Sequence, residues 1–170
     1  MKNLKTITVG TVAGVFLALG TAVAGSDNSF GWHANPALVG TWQFEMTVRV
    51  DAPDCANSPP IPFGPNPFTA LISFHEGGTL NEYASRTPPG VRTTGFGSWK
   101  QTGKNKYKAR YTFMEFDANG LLWRTMVIEK NIDLKRGGDS YDAISRLELT
   151  DISGNVTKIC ATVAGERFKV

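Results

Sequence analysis

The sequence predicts an all-β fold: eight antiparallel strands in sequential hairpin connection, closed as an up-and-down (meander) barrel. Three observations carry that expectation. Apolar and polar residues alternate with period two in most runs beyond Val39, glycine-bearing turns divide the runs, and nothing there reads as a capped amphipathic helix. Eight strands in an open sheet would leave two unpaired edges, and closure removes both. An open two-sheet sandwich is the alternative architecture.

Of the 170 residues, the first 24 read as a segment outside the fold. Met1 to Lys5 carries Lys2 and Lys5, a largely apolar run follows from Ile7 to Val23, and Ala22-Val23-Ala24 precedes polar Gly25-Ser26-Asp27-Asn28. A basic start, an apolar middle and a small-x-small site mark a secretory signal peptide over residues 1–24. A retained anchor is the competing reading, since about 18 apolar residues can just cross a bilayer. No cysteine lies near the cleavage site, which argues against a lipoprotein. Residues 25–38 are then an N-terminal extension and 39–170 a single barrel domain, in a secreted or periplasmic protein with no stable membrane insertion after cleavage. Losing Lys2 and Lys5 from 18 basic residues against 15 acidic ones leaves a charge of about +1. That is no field for steering polyanions.

The first strand, Val39 to Val50, places Trp42, Phe44, Met46, Val48 and Val50 on one face. Asp51 to Pro67 then holds six of the nine prolines and runs extended, without donating ladder hydrogen bonds. It reads as a stiff connector, or as a lid over the barrel mouth with Ile61 and Phe63 as its apolar contacts. Phe68 to Glu76 is the second run, and Gly77-Gly78 permits a tight hairpin into Thr79 to Arg86. A Pro-Pro-Gly loop precedes Gly95 to Gln101, and Gly103 marks the next turn. Lys106 to Asp117 has the clearest register: Lys106, Lys108 and Arg110 on one side, Tyr107, Ala109, Tyr111 and Phe113 on the other. Asn119-Gly120 leads into Leu121 to Leu134, apolar on both faces. Gly137-Gly138 leads into Ser140 to Asp151, and Gly154 into Val156 to Val170.

Export sets the reading of the two cysteines. In an oxidising compartment Cys55 and Cys160 are expected to form one disulfide across a very long loop, worth roughly 2–4 kcal/mol. Two buried free thiols or a nucleophile are the alternatives, and no Cys-His arrangement accompanies them.

Leu38-Val39-Gly40-Thr41-Trp42, a Gly-x-Trp at the head of the first strand of an eight-stranded meander, resembles the lipocalin and wider calycin pattern. The resemblance implies that Trp42 plugs the closed end of the barrel and that an arginine near the last strand, here Arg167, packs across it. A disulfide from an early segment to the last strand is also lipocalin-like. The chain departs from the pattern in lacking a Thr-Asp-Tyr between strands six and seven and a C-terminal helix.

The familiar catalytic signatures are missing: no GxSxG, HExxH, phosphate-cradling loop or dinucleotide fingerprint occurs. No cofactor is implied. Gly95-Phe96-Gly97 is a lone GxG better explained by barrel closure. His33 and His75 stand apart with no ligand cluster, so no metal is expected. The basic stretch Lys100 to Arg110 alternates with apolar residues as a solvated wall does, so no nucleic-acid partner is expected. The expected partner is a small hydrophobic molecule in an aromatic cavity walled by Phe74, Tyr83, Trp99, Tyr107, Tyr111, Phe113 and Trp123, with Arg124 among the polar groups that orient it. Barrels resembling allene oxide cyclase use such a pocket for cyclisation or isomerisation. In that alternative Glu115 or Glu129, its pKa raised by burial, acts as acid or base. A barrel filled by its own side chains, serving as a structural or interaction module, is the third reading.

Overall fold

A computed structural model of the chain describes residues 37–169 except Phe63 and Pro89. The expected signal peptide, His33 and most of the N-terminal extension lie outside the described residues. No described helix is long and apolar enough to cross a membrane. Eight strands follow one another: β1 Gly40–Val50, β2 Phe68–Phe74, β3 Thr79–Ala84, β4 Gly95–Gly103, β5 Lys106–Phe116, β6 Leu122–Leu134, β7 Ser140–Asp151 and β8 Val156–Arg167. Each pairs antiparallel with the next, and β8 returns to β1 to close the barrel. The ring of pairings rules out the open sandwich. The expected runs hold to within a few residues. The second ends two residues early because His75 and Glu76 belong to the turn, where the His75 N–H donates to the Thr79 carbonyl at 2.9 Å. The last ends at Arg167.

Alternation explains the strands. In β1, Trp42, Phe44, Met46 and Val48 point inward and are at most 2% exposed, while Gln43 and Glu45 face solvent. Each fully buried large side chain of this kind contributes about 1.5–3 kcal/mol through apolar burial. Val50, expected on the inner face, is 44% exposed because the strand ends at the barrel rim there.

One end of the barrel is packed solid. The Trp42 and Tyr141 rings meet edge-on at 5.1 Å, Phe74 meets Trp99 at 5.7 Å, and Trp99 meets Tyr107 at 5.9 Å. The Trp42 indole N–H donates to the Leu38 carbonyl at 2.9 Å, and the Arg167 guanidinium lies 4.3 Å over the indole. Arg167 also donates to the carbonyls of Val39 and Gly138, which ties the segment just before β1 and the β6–β7 turn to the last strand.

The proline-rich segment is fastened along its length. Val48 N–H donates to the Asn66 side chain at 2.9 Å, Ile61 N–H to the Val48 carbonyl at 3.1 Å, and Val50 N–H to the Pro59 carbonyl at 3.0 Å. These bonds occupy the part of β1 that β2 leaves unpaired. Arg146, outward on β7, donates to Asp51 and to the carbonyls of Ala52 and Pro53. Cys55 and Cys160 form a disulfide spanning 105 residues, so the segment is pinned to the outer face of β8.

Candidate functional site

Above the packed end the barrel is hollow. A cavity of about 310 Å³ lies at the opposite end, its apolar wall including Met46 and Val48 of β1, Phe113 of β5, Met126 and Ile128 of β6, and Leu147 of β7. That volume lies at the lower end of the range for small-molecule sites, roughly 300–1,000 Å³. Trp123 and Arg124 stand at its rim, and a neighbouring hollow of about 430 Å³ shares both, together with Ile159. Gly64 of the proline-rich segment borders the cavity. Ile61 packs against the core, and Phe63 lies outside the described residues.

Two ion pairs sit in this wall. Glu82 of β3 and Arg92 of the β3–β4 loop meet at 2.7 Å with both side chains at most 3% exposed. The Arg92 guanidinium also stacks 3.7 Å over the Phe113 ring. Glu115 of β5 pairs with Arg124 of β6, which stacks 4.0 Å over Trp123. Removing one partner of such a buried pair strands the other and costs about 3–5 kcal/mol. Arg86 joins them at the mouth, and burial lowers its pKa.

Deeper in the barrel lies a polar group that the sequence reading missed. Lys130 is 0% exposed, and no described hydrogen-bond partner reaches its ammonium, which rests 3.8 Å over the Phe44 ring and 5.8 Å from the Tyr111 ring. Burial pushes its pKa down to about 8, opposed by the negative charge of Glu82. The hydroxyls of Tyr107, Tyr111, Tyr141 and Ser145 are likewise buried without a hydrogen-bond partner among the described residues. Burial raises the pKa of Tyr111 and Tyr141, and Glu82 adds to both effects. Each unpartnered buried polar group costs roughly 1–3 kcal/mol.

Glycines make room for the two rings. A Cβ at Gly97 would stand 2.0 Å from the Arg110 carbonyl oxygen and 2.5 Å from Tyr111 Cβ. One at Gly165 would stand 2.3 Å from the Tyr141 ring. Gly95-Phe96-Gly97 is therefore a close-approach device: Gly97 lies opposite Tyr111 in the β4–β5 register.

The expected site residues divide into three groups. Phe113, Trp123, Arg124 and Glu115 border the cavity. Phe74, Trp99 and Tyr107 are interior but belong to the packed end, and Tyr111 lies next to Lys130. Tyr83 and Glu129 must be moved off the interior. Tyr83 is 40% exposed, because the inward residues of β3 are Leu80, Glu82 and Ala84. Glu129 lies outside the wall, its side chain 41% exposed and paired with Lys108 at 2.8 Å. The Lys108 hydrogen bond holds its pKa below the ordinary carboxylate value, the reverse of the raised pKa an acid–base role required. His75 lies on the outside, hydrogen-bonded to Asn81 at 2.8 Å.

Lys130 and Glu82 were within reach of the sequence. Met126, Ile128 and Ile132 set the inward parity of β6 and carry Lys130 with them, and Leu80 and Ala84 do the same for Glu82. Arg92 arrives from a loop, where no periodicity applies.

Fold and site together define a small closed eight-stranded β-barrel with one packed end and one hollow, charge-bearing end. No family model and no curated protein matches the chain. Among solved structures it is similar to Rv2717c from M. tuberculosis, with 11% identity, a TM-score of 0.41, and coverage of 79% of this chain and 94% of that one. So loose a likeness has no bearing on function.

Proposed function

We propose that the protein is an exported, lipocalin-like barrel that binds a small hydrophobic molecule in its interior. The observation that carries this reading is the 310 Å³ cavity, apolar on most of its wall and bearing a few fixed charges. Apolar walls supply affinity, and a few placed polar groups orient the ligand. Arg92 and Arg124 are each held by a carboxylate and stacked on an aromatic ring, so they shape the wall without needing to reorganise on binding. The disulfide fits an oxidising destination. With Glu129 on the outer wall, the cyclase or isomerase alternative retains Glu115 alone, and Glu115 is already engaged by Arg124.

The test is to extract the purified protein with organic solvent and identify what was bound by mass spectrometry, beside an Ala84→Phe variant. Ala84 borders the cavity and is 4% exposed, so a phenyl group there occupies ligand space. An apolar compound present in the wild type and missing from the variant supports the reading. Equal amounts in both proteins would refute it. Export is tested separately by sequencing the N-terminus of protein recovered from the expressing cell. Cleavage after Ala24 leaves Gly25 first, whereas a retained Met1 contradicts it.

A further inference from the structure

Among the described residues, the buried ammonium of Lys130 has no anion paired with it. Glu82, Arg92, Glu115, Arg124 and Lys130 are the interior charged groups described, with Arg86 half-buried at the mouth, and each carboxylate is already paired with an arginine. Lys130 is left with an aromatic face beneath it and no hydrogen-bond acceptor among the described residues. Two of the unpartnered hydroxyls near it supply further donors. Ser145 is its register partner on β7, and the Tyr111 ring centre lies 5.8 Å from its ammonium. An ammonium carries three donors and no acceptor, so it can be satisfied only by something that brings oxygen lone pairs. Buried charges persist where they are paired.

This cluster lies next to the cavity wall. Glu82 belongs to the cavity wall, and Lys130 follows the wall residue Ile128 on the inward face of β6. Lys130 itself does not line the cavity, so a ligand with its apolar part against Met46, Val48, Met126 and Leu147 reaches the ammonium only with its innermost end, past Ile128.

We propose that Lys130, with Tyr111 and Ser145, forms the head-group site of the barrel, and that the ligand is an apolar molecule ending in a carboxylate. The inference rests on the ligand-binding reading and adds to it the chemical class of the ligand and the depth at which its polar end is held. The ammonium supplies the counter-charge and the two hydroxyls donate to the carboxylate oxygens. A neutral alcohol of equal length fills the same apolar cavity but leaves the ammonium uncompensated.

The experiment is calorimetric titration with decanoic acid and with decanol near neutral pH, on the full exported protein and on Lys130→Met, Lys130→Gln, Tyr111→Phe and Arg86→Gln. In the wild type the acid is expected to bind at least tenfold more tightly than the alcohol. Either Lys130 variant brings the two to near equality with decanol affinity retained, and Tyr111→Phe weakens the acid several-fold without affecting the alcohol. If Lys130→Met fails to fold, Lys130→Gln gives the same reading. Equal binding of acid and alcohol to the wild type overturns the head-group site and leaves the apolar-ligand reading standing. A preference for the acid that survives both Lys130 variants and disappears in Arg86→Gln places the anion at the mouth and also overturns it. If neither compound binds, the ligand-binding reading fails with it.

Discussion

Lys130 sits where charge is least tolerated, and its cost to stability has a definite sign with pH. Its folded pKa of about 8 lies below the ordinary 10.5, so the unfolded chain holds this proton more tightly than the folded one. Stability of the ligand-free protein therefore rises as pH increases through about 8 toward 10.5, by at most roughly 3 kcal/mol. Tyr111 and Tyr141 act in the opposite sense: their raised pKa contributes stability that is full below 10 and lost above it. The lysine is therefore read between about pH 7 and pH 10, from urea midpoints. Lys130→Met is expected to flatten that rise and to stabilise the protein by about 1–3 kcal/mol at neutral pH, as apolar replacements of buried charges can. A rise that persists unchanged in the variant would assign the effect elsewhere. Gly97→Ala is the second residue-scale prediction. A methyl group pressed against the Arg110 carbonyl and Tyr111 backbone should cost at least about 2 kcal/mol in chemical denaturation, since backbone on both sides cannot give way as a side chain can. A neutral result would mean that β4 and β5 separate more easily than their register implies.

Among the elements, the proline-rich segment most clearly trades local order for long-range attachment. It has no ladder of its own and is held by the disulfide, by Arg146 and by hydrogen bonds to β1. Replacing both Cys55 and Cys160 by serine should cost roughly 2–5 kcal/mol through the freed loop of 105 residues, measured as a fall in denaturation midpoint. Arg146→Ala should cost under about 1 kcal/mol, because the guanidinium is part-exposed, and instead raise the rate of proteolysis within Asp51 to Pro60. Unchanged proteolysis would make the Arg146 contacts dispensable. At this scale the sequence was most readable where one face is wet. In β5 the Lys106, Lys108 and Arg110 series fixes the parity that carries Glu115 inward. In β6 the apolar run Met126-Val127-Ile128 fills both faces and hides the parity that puts Lys130 inside and Glu129 outside. An aromatic ring near a strand end suggests a place for Tyr83 at the barrel mouth, whereas the parity of Leu80 and Ala84 puts it outside.

For the whole molecule, the division into a packed end and a hollow end depends on which side chains meet across the barrel, and no local pattern encodes that. Trp42 meets Tyr141, 99 residues later, and Phe74 meets Trp99 from two strands away. Strand order and closure follow from turns and edges, whereas cavity size follows from these cross-barrel encounters and from the glycines that admit Tyr111 and Tyr141. The proposed function requires that the hollow end take an apolar ligand. It is tested most directly by titrating decanol into the purified, ligand-stripped protein and into folded Ala84→Phe, with heat of binding as the readout. Saturable one-to-one binding to the wild type that is abolished in Ala84→Phe is the predicted result. No saturable binding to the wild type, or equal binding to the filled variant, would contradict it.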